Sequence, residues 1–153
     1  LVFFTAGYGR GGALLKQSPS GDGVKVQEVY GLNPDLTNKH GGVVLVGDFL
    51  YGDSDDKGTP WCAELATGRI RWKQRGSGRG SASMTYADGR LYVRYASGRV
   101  ALVPATPDGY REVGAFDVPH SGRRPSWAHP VVAGGRLFLR EDDHILCYDL
   151  RAK

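Results

Sequence analysis

The residues of this 153-residue chain that could do chemistry are few and scattered. His40, Trp127 and His129 combine two imidazoles, which titrate near neutral pH and ligate metals, with an indole that could stack on a planar ligand. The run Asp53-Ser54-Asp55-Asp56-Lys57-Gly58, followed by Glu64, places oxygen donors and a glycine at calcium-loop positions 1, 3, 6 and 12. Lys57 holds position 5, where an oxygen ligand belongs, and the flanks read as strands rather than helices. A solvated hairpin turn is therefore the expectation, with no metal. Gly7-Tyr8-Gly9-Arg10-Gly11-Gly12 has the glycine spacing of a phosphate loop, but such a loop needs a helix directly after it. A strand, Ala13-Leu14-Leu15-Lys16, follows, so this too reads as a turn. His40, His129 and His144 have no spaced partners that would make a nucleophile–base–acid triad.

These side chains must be positioned by strands and turns. The central stretch, Cys62 to Trp72, reads as strand, turn, strand. Gly68 suits the left-handed turn position, and Glu64 is expected to accept backbone N–H groups freed at the turn. Trp72 carries a large ring that one hairpin cannot bury, which calls for a neighbouring sheet. Small residues matching Cys62 recur at Ala13, Ala101 and Cys147, spaced 49, 39 and 46 residues apart. Apolar strands with an aromatic precede each of them: Leu1–Phe4, Phe49–Tyr51, Leu91–Val93 and Leu137–Leu139. The last three are entered through the turn signals Gly47-Asp48, Asp88-Gly89 and Gly134-Gly135. A repeat of about 40–50 residues containing four short strands is the signature of a propeller blade. The expected fold is all-β: an arc of about four four-stranded blades, over approximately 1–32, 39–75, 80–118 and 127–153, with the terminal blades incomplete. Fourteen strands are expected.

The spaced residues Cys62, Glu64, Thr67, Gly68 and Trp72 resemble the tryptophan-docking motif of the PQQ-binding-like (quinoprotein-like) β-propeller family, with Cys for the usual Ala and Glu for the usual Asp. The last repeat keeps Cys147 and Asp149; the third keeps Ala101 and Thr106, with Val103 at the acidic position. Trp127-Ala128-His129-Pro130 through Asp149 resembles the closing blade of bacterial outer-membrane-type members. The resemblance implies a seven- or eight-bladed parent, of which this is a C-terminal part that the remaining blades would complete. It also implies a periplasmic or cell-envelope location. Two functions follow from it. One is a non-catalytic scaffold for other envelope proteins, similar to the propeller lipoprotein that assists assembly of outer-membrane barrels. The alternative is part of a PQQ-dependent dehydrogenase, with PQQ and Ca²⁺ at the axis and an Asp as base. The adjacent cysteine pair that many such enzymes carry is absent here, which favours the scaffold and no cofactor.

If the strands are ordered as in a propeller, the blade-to-blade crossings share one face. That face would collect Lys39, His40, Lys73, Arg75, Arg79, His120, Arg123 and Arg124. Together with Trp127 and His129 at the channel mouth, these are the candidate partner-binding residues. Aligning strands on Leu50, Leu91 and Leu137 makes His40, Ser81 and Trp127 equivalent. His40 either acts at the channel mouth or bonds an inter-blade loop; Trp127 either stacks on a ligand or wedges two blades. The net charge of +4 (20 Lys and Arg against 16 Asp and Glu) does not point to nucleic acid. No apolar run approaches the ~18–20 residues of a transmembrane helix. Cys62 and Cys147 stand at one position of non-adjacent blades, too far apart for a disulfide, and are expected to be small core residues.

Overall fold

A computed structural model describes residues 1–119 and 124–151. Among them are fourteen strands and one short 3-10 turn, at Pro34–Leu36. The strands form four antiparallel sheets in chain order. The first holds β1 (Val2–Ala6), β2 (Gly11–Ser20) and β3 (Gly23–Asn33). The second holds β4 (Val44–Val46), β5 (Phe49–Asp53), β6 (Pro60–Glu64) and β7 (Ile70–Lys73). The third holds β8 (Ala82–Ala87), β9 (Arg90–Tyr95), β10 (Arg99–Pro104) and β11 (Gly114–Asp117). The fourth holds β12 (Val131–Ala133), β13 (Arg136–Glu141) and β14 (His144–Asp149). Every strand pairs with its chain neighbour inside its own sheet, which is the meander of propeller blades.

Three apolar layers glue the sheets face to face. Leu36, Leu50, Trp61 and Ala63 fill the layer between the first and second sheets, with Phe3 and Tyr30 against them. Tyr51 and Cys62 join Met84, Leu91, Val93, Tyr95, Ala101 and Val103 between the second and third. Val100, Leu137 and Leu139 lie between the third and fourth. The period-2 alternation of strands sorts them: Leu50 faces one neighbour, Tyr51 the other. Trp61 is the largest fully buried side chain, and its indole N–H donates to the Thr37 carbonyl at 3.2 Å. Gly52 leaves the room, since a Cβ there would fall 2.3 Å from the indole.

The hairpin around Gly68 forms, with one change of partners. Gly68 has φ +68°, and its N–H reaches the Glu64 carbonyl at 2.9 Å. The Glu64 carboxylate, however, does not take turn N–H groups. It accepts from the Thr67 hydroxyl (2.8 Å) and from the guanidinium groups of Arg69 (2.5 Å) and Arg71 (3.4 Å). The Arg69 N–H goes to the Thr67 hydroxyl instead. Asp149, at the matching position of the fourth sheet, does accept the Arg151 N–H at 3.0 Å. Asp149 also pairs with the Arg151 guanidinium at 2.6 Å, so both carboxylates hold an arginine and only the shorter Asp149 keeps the backbone bond as well.

Trp72 docks on the next sheet. A bulge opposite Cys62 and Ala63 pairs them with Trp72 and Ile70 and leaves Arg71 over. Ile70 therefore packs toward the first sheet and Trp72 toward the third. The half-buried indole meets Tyr51 and Tyr110, at centroid distances of 6.0 and 5.5 Å, and donates to the Thr106 carbonyl at 2.8 Å. The two cysteines differ, against the expectation of two core residues. Cys62 is buried beneath the third sheet, whereas Cys147 is exposed. β14 is the last strand of its sheet, with no further sheet over it among the described residues.

Candidate functional site

The crossings between sheets and the β5–β6 and β9–β10 loops meet on one side of the molecule. The carboxylates 53 to 56 latch them together rather than standing as a solvated turn. Asp55 Oδ2 accepts the Gly9 N–H at 2.9 Å. Asp56 takes Lys39 Nζ at 2.5 Å and the Ser81 hydroxyl at 2.9 Å, while its own N–H donates back to Ser81 Oγ. Asp53 is 2% exposed and accepts the Ala82 N–H at 2.8 Å. Burial pushes its carboxyl up to about 7, and its Oδ1 has no partner.

At the centre of this side, residues from non-adjacent repeats converge. The His40 ring stacks on Trp127 with centroids 4.2 Å apart and planes 20° from parallel. His129 Nε2 donates to the His40 carbonyl at 3.2 Å. Three candidate residues separated by up to 89 positions thus form one cluster. Trp127 wedges against His40 yet keeps 49% of its surface exposed. His40 Nε2 is buried without a hydrogen-bond partner. Ser81 does not join the cluster: it is buried and spent on Asp56.

Trp127 also borders a cavity of about 330 Å³, together with Arg124, Arg140, Glu141 and Asp142. Below it lies a polar network that sequence reasoning missed. The Arg94 guanidinium, fully buried on β9, pairs with Glu141 on β13 and donates to the Ala128 carbonyl at 3.0 Å. The Ser126 hydroxyl donates to the same carboxylate at 2.7 Å. Arg94 stands where Asp53 stands on β5, three residues after the aligned leucine, and both reach across to the entry of the next sheet. The available signal was a charge inside the apolar run Leu91-Tyr92-Val93-Arg94-Tyr95.

The basic candidates divide. Lys39 and Lys73 are neutralised by Asp56 and Asp35, at 2.5 and 3.0 Å. Arg75, Arg79 and Arg124 are exposed and belong to the crossings on this side. His120 and Arg123 lie outside the described residues. The His40, Trp127 and His129 cluster does not have the donor set that calcium takes. Calcium needs several hard oxygen ligands, and this cluster presents two imidazoles and an indole. Among the described residues no three of His, Cys, Asp or Glu are placed to share a metal ion. No helix among those residues is long and apolar enough to cross a membrane.

Residues 1–74 match the family model described as outer membrane protein assembly factor BamB. No curated protein matches the sequence. Among solved structures, the computationally designed Ika8 protein is similar, with a TM-score of 0.62 and 16% identity over 89% of this chain and 43% of that one. BamB from Moraxella catarrhalis is similar with a TM-score of 0.56 and 14% identity, over 98% of this chain and 48% of that one. The chain thus spans just under half the length of either protein.

Proposed function

We propose that this chain, a run of PQQ-like β-propeller repeats, is part of a non-catalytic scaffold that holds other proteins in the bacterial cell envelope. The observation that carries the reading is the half-exposed Trp127, stacked on His40, whose own carbonyl is held by His129, and bordered by Arg124. Tryptophan and arginine are the side chains that most often anchor protein interfaces, and a pre-braced indole loses little conformational freedom on binding. Arg124 and Arg140 share the cavity wall with Trp127, and Arg75 and Arg79 are exposed on another crossing, which favours a partner segment that is acidic with an apolar residue to place against the indole. The matched family's description as an outer membrane protein assembly factor supports an outer-membrane-associated location and protein partners.

Capture of envelope proteins on immobilised protein, read by mass spectrometry, tests this. Trp127→Ala and Arg124→Glu should each lose the partners that the unaltered protein retains, and charge reversal should do so most clearly at low salt. Retention of the same partners by a folded Trp127→Ala/Arg124→Glu double variant would refute the assignment of this face.

A further inference from the structure

Strand pairing aligns Phe3, Leu14 and Tyr30 across the first sheet, and Tyr51, Cys62 and Trp72 across the second. In both rows the outermost residue is an aromatic laid on the next sheet. Tyr30 lies on the Gly68 turn, where a Cβ on Gly68 would fall 3.0 Å from its ring, and Trp72 reaches the Thr106 carbonyl. The matching row of the third sheet is Tyr92, Leu102 and Gly114. Leu14 and Leu102 thus take the place of Cys62, each one residue past the Ala13 and Ala101 that the sequence repeat singled out. Gly114 leaves open space where the ring stands in the other sheets: a Cβ there would meet nothing within 4 Å. Beside it, between the third and fourth sheets, is a cavity of about 260 Å³ walled by Tyr92, Leu102, Phe116, Leu137 and Leu150. We propose that this cavity is a binding site for an aromatic side chain, tryptophan above all, of a partner protein.

The chemistry of the wall selects the occupant. No charged side chain lines it, so an ion or a sugar would lose its hydration there without compensation. Val100 and Leu137 make a buried floor, Tyr92, Leu102 and Phe116 are half-buried, and Gly114, Ala115 and Leu150 are exposed at the mouth. The space therefore meets solvent through its own wall. Its volume falls below the about 300–1,000 Å³ of sites that take drug-sized ligands, which suits a single side chain. The fit is displayed once within this chain: the Trp72 ring fills the equivalent space in the second sheet, 6.0 Å from the ring of Tyr51, the counterpart of Tyr92. Among the described residues β11 pairs only with β10, which leaves its outer edge free next to Gly114. An extended partner segment can add to that edge and deliver the ring. The cavity shares no wall residue with the one beside Trp127, so the two surfaces are independent.

The test is titration of the folded chain with N-acetyl-tryptophanamide, N-acetyl-leucinamide, free indole, and an extended tryptophan-containing peptide alongside its alanine counterpart, read by amide NMR shifts. Saturable shifts centred on Leu102, Gly114, Ala115 and Leu150 are expected from the tryptophan probes. The tryptophan peptide should bind at least about tenfold more tightly than its alanine counterpart. Gly114→Trp supplies the ring from the chain itself, and should abolish the binding while raising the urea midpoint of unfolding. Leu150→Asp places a carboxylate at the exposed mouth, and should weaken binding roughly tenfold. Free indole binding as tightly as the tryptophan peptide would make this a small-molecule site and overturn the assignment to a partner protein. Equal binding of the leucine probe, no saturation up to about 20 mM, shifts centred on other residues, or unchanged binding in both variants would also overturn the proposal.

Discussion

Replacing Asp53 by asparagine should change how stability depends on pH, and by an amount the structure sets. Asp53 lies buried at the junction of the second and third sheets, where Oδ2 accepts the Ala82 N–H and Oδ1 has no partner. Burial raises its carboxyl from 3.8 to about 7. A carboxyl raised in the folded state stabilises that state while protonated, so the contribution is fully present below about pH 4 and is lost as pH rises toward and through 7. The shift is about three pH units, and each unit is worth ~1.4 kcal/mol, so the loss is at most about 4 kcal/mol. The amide introduced by Asp53→Asn cannot ionise and still offers an oxygen to the Ala82 N–H. Urea unfolding of both proteins at about pH 4 and about pH 8 isolates the effect. Carboxylates held low by arginines, such as Glu64 and Asp149, give the opposite slope, but they are common to both proteins and cancel in the difference. The variant should match the original at low pH and exceed it at high pH by up to about 4 kcal/mol. A stability difference that does not change with pH would refute the account of Asp53 as a buried, proton-holding group.

Trp72→Ala removes the packing on Tyr51 and Tyr110 together with the Thr106 bond, and should cost about 3 kcal/mol; Trp72→Phe, which keeps most of the packing, should cost about 1 kcal/mol, both read by urea unfolding. Glu141→Ala strands the buried Arg94 guanidinium and should cost about 3–5 kcal/mol, whereas an Arg94→Met/Glu141→Leu double variant should recover much of that loss. Gly52→Ala drives a methyl into the Trp61 indole, and should lower stability by at least ~1–3 kcal/mol with a change in the tryptophan fluorescence of the folded state.

The sequence alone determined the sheets. Alternating apolar strands and two-residue turn signals such as Asp88-Gly89 are local features, so the four meanders were legible from neighbouring residues. So was the Gly68 turn, which depends on one backbone conformation. Placing His40 and Trp127 at equivalent positions followed from the repeat alignment. What only the tertiary structure decided is where distant residues meet. The stacking of His40 on Trp127 and the bond from His129 depend on how successive sheets fan around an axis, which no local spacing encodes. The Arg94–Glu141 pair and the burial of Trp61 likewise depend on which face of a strand meets which neighbour. The bulge at Arg71 shows why. One extra residue turns Trp72 to the opposite face from Ile70, reversing what period-2 reading alone implies. Charge partners were also out of reach of the sequence. Lys39 and Lys73 read as part of a basic face until Asp56 and Asp35, brought in by other loops, cancelled them.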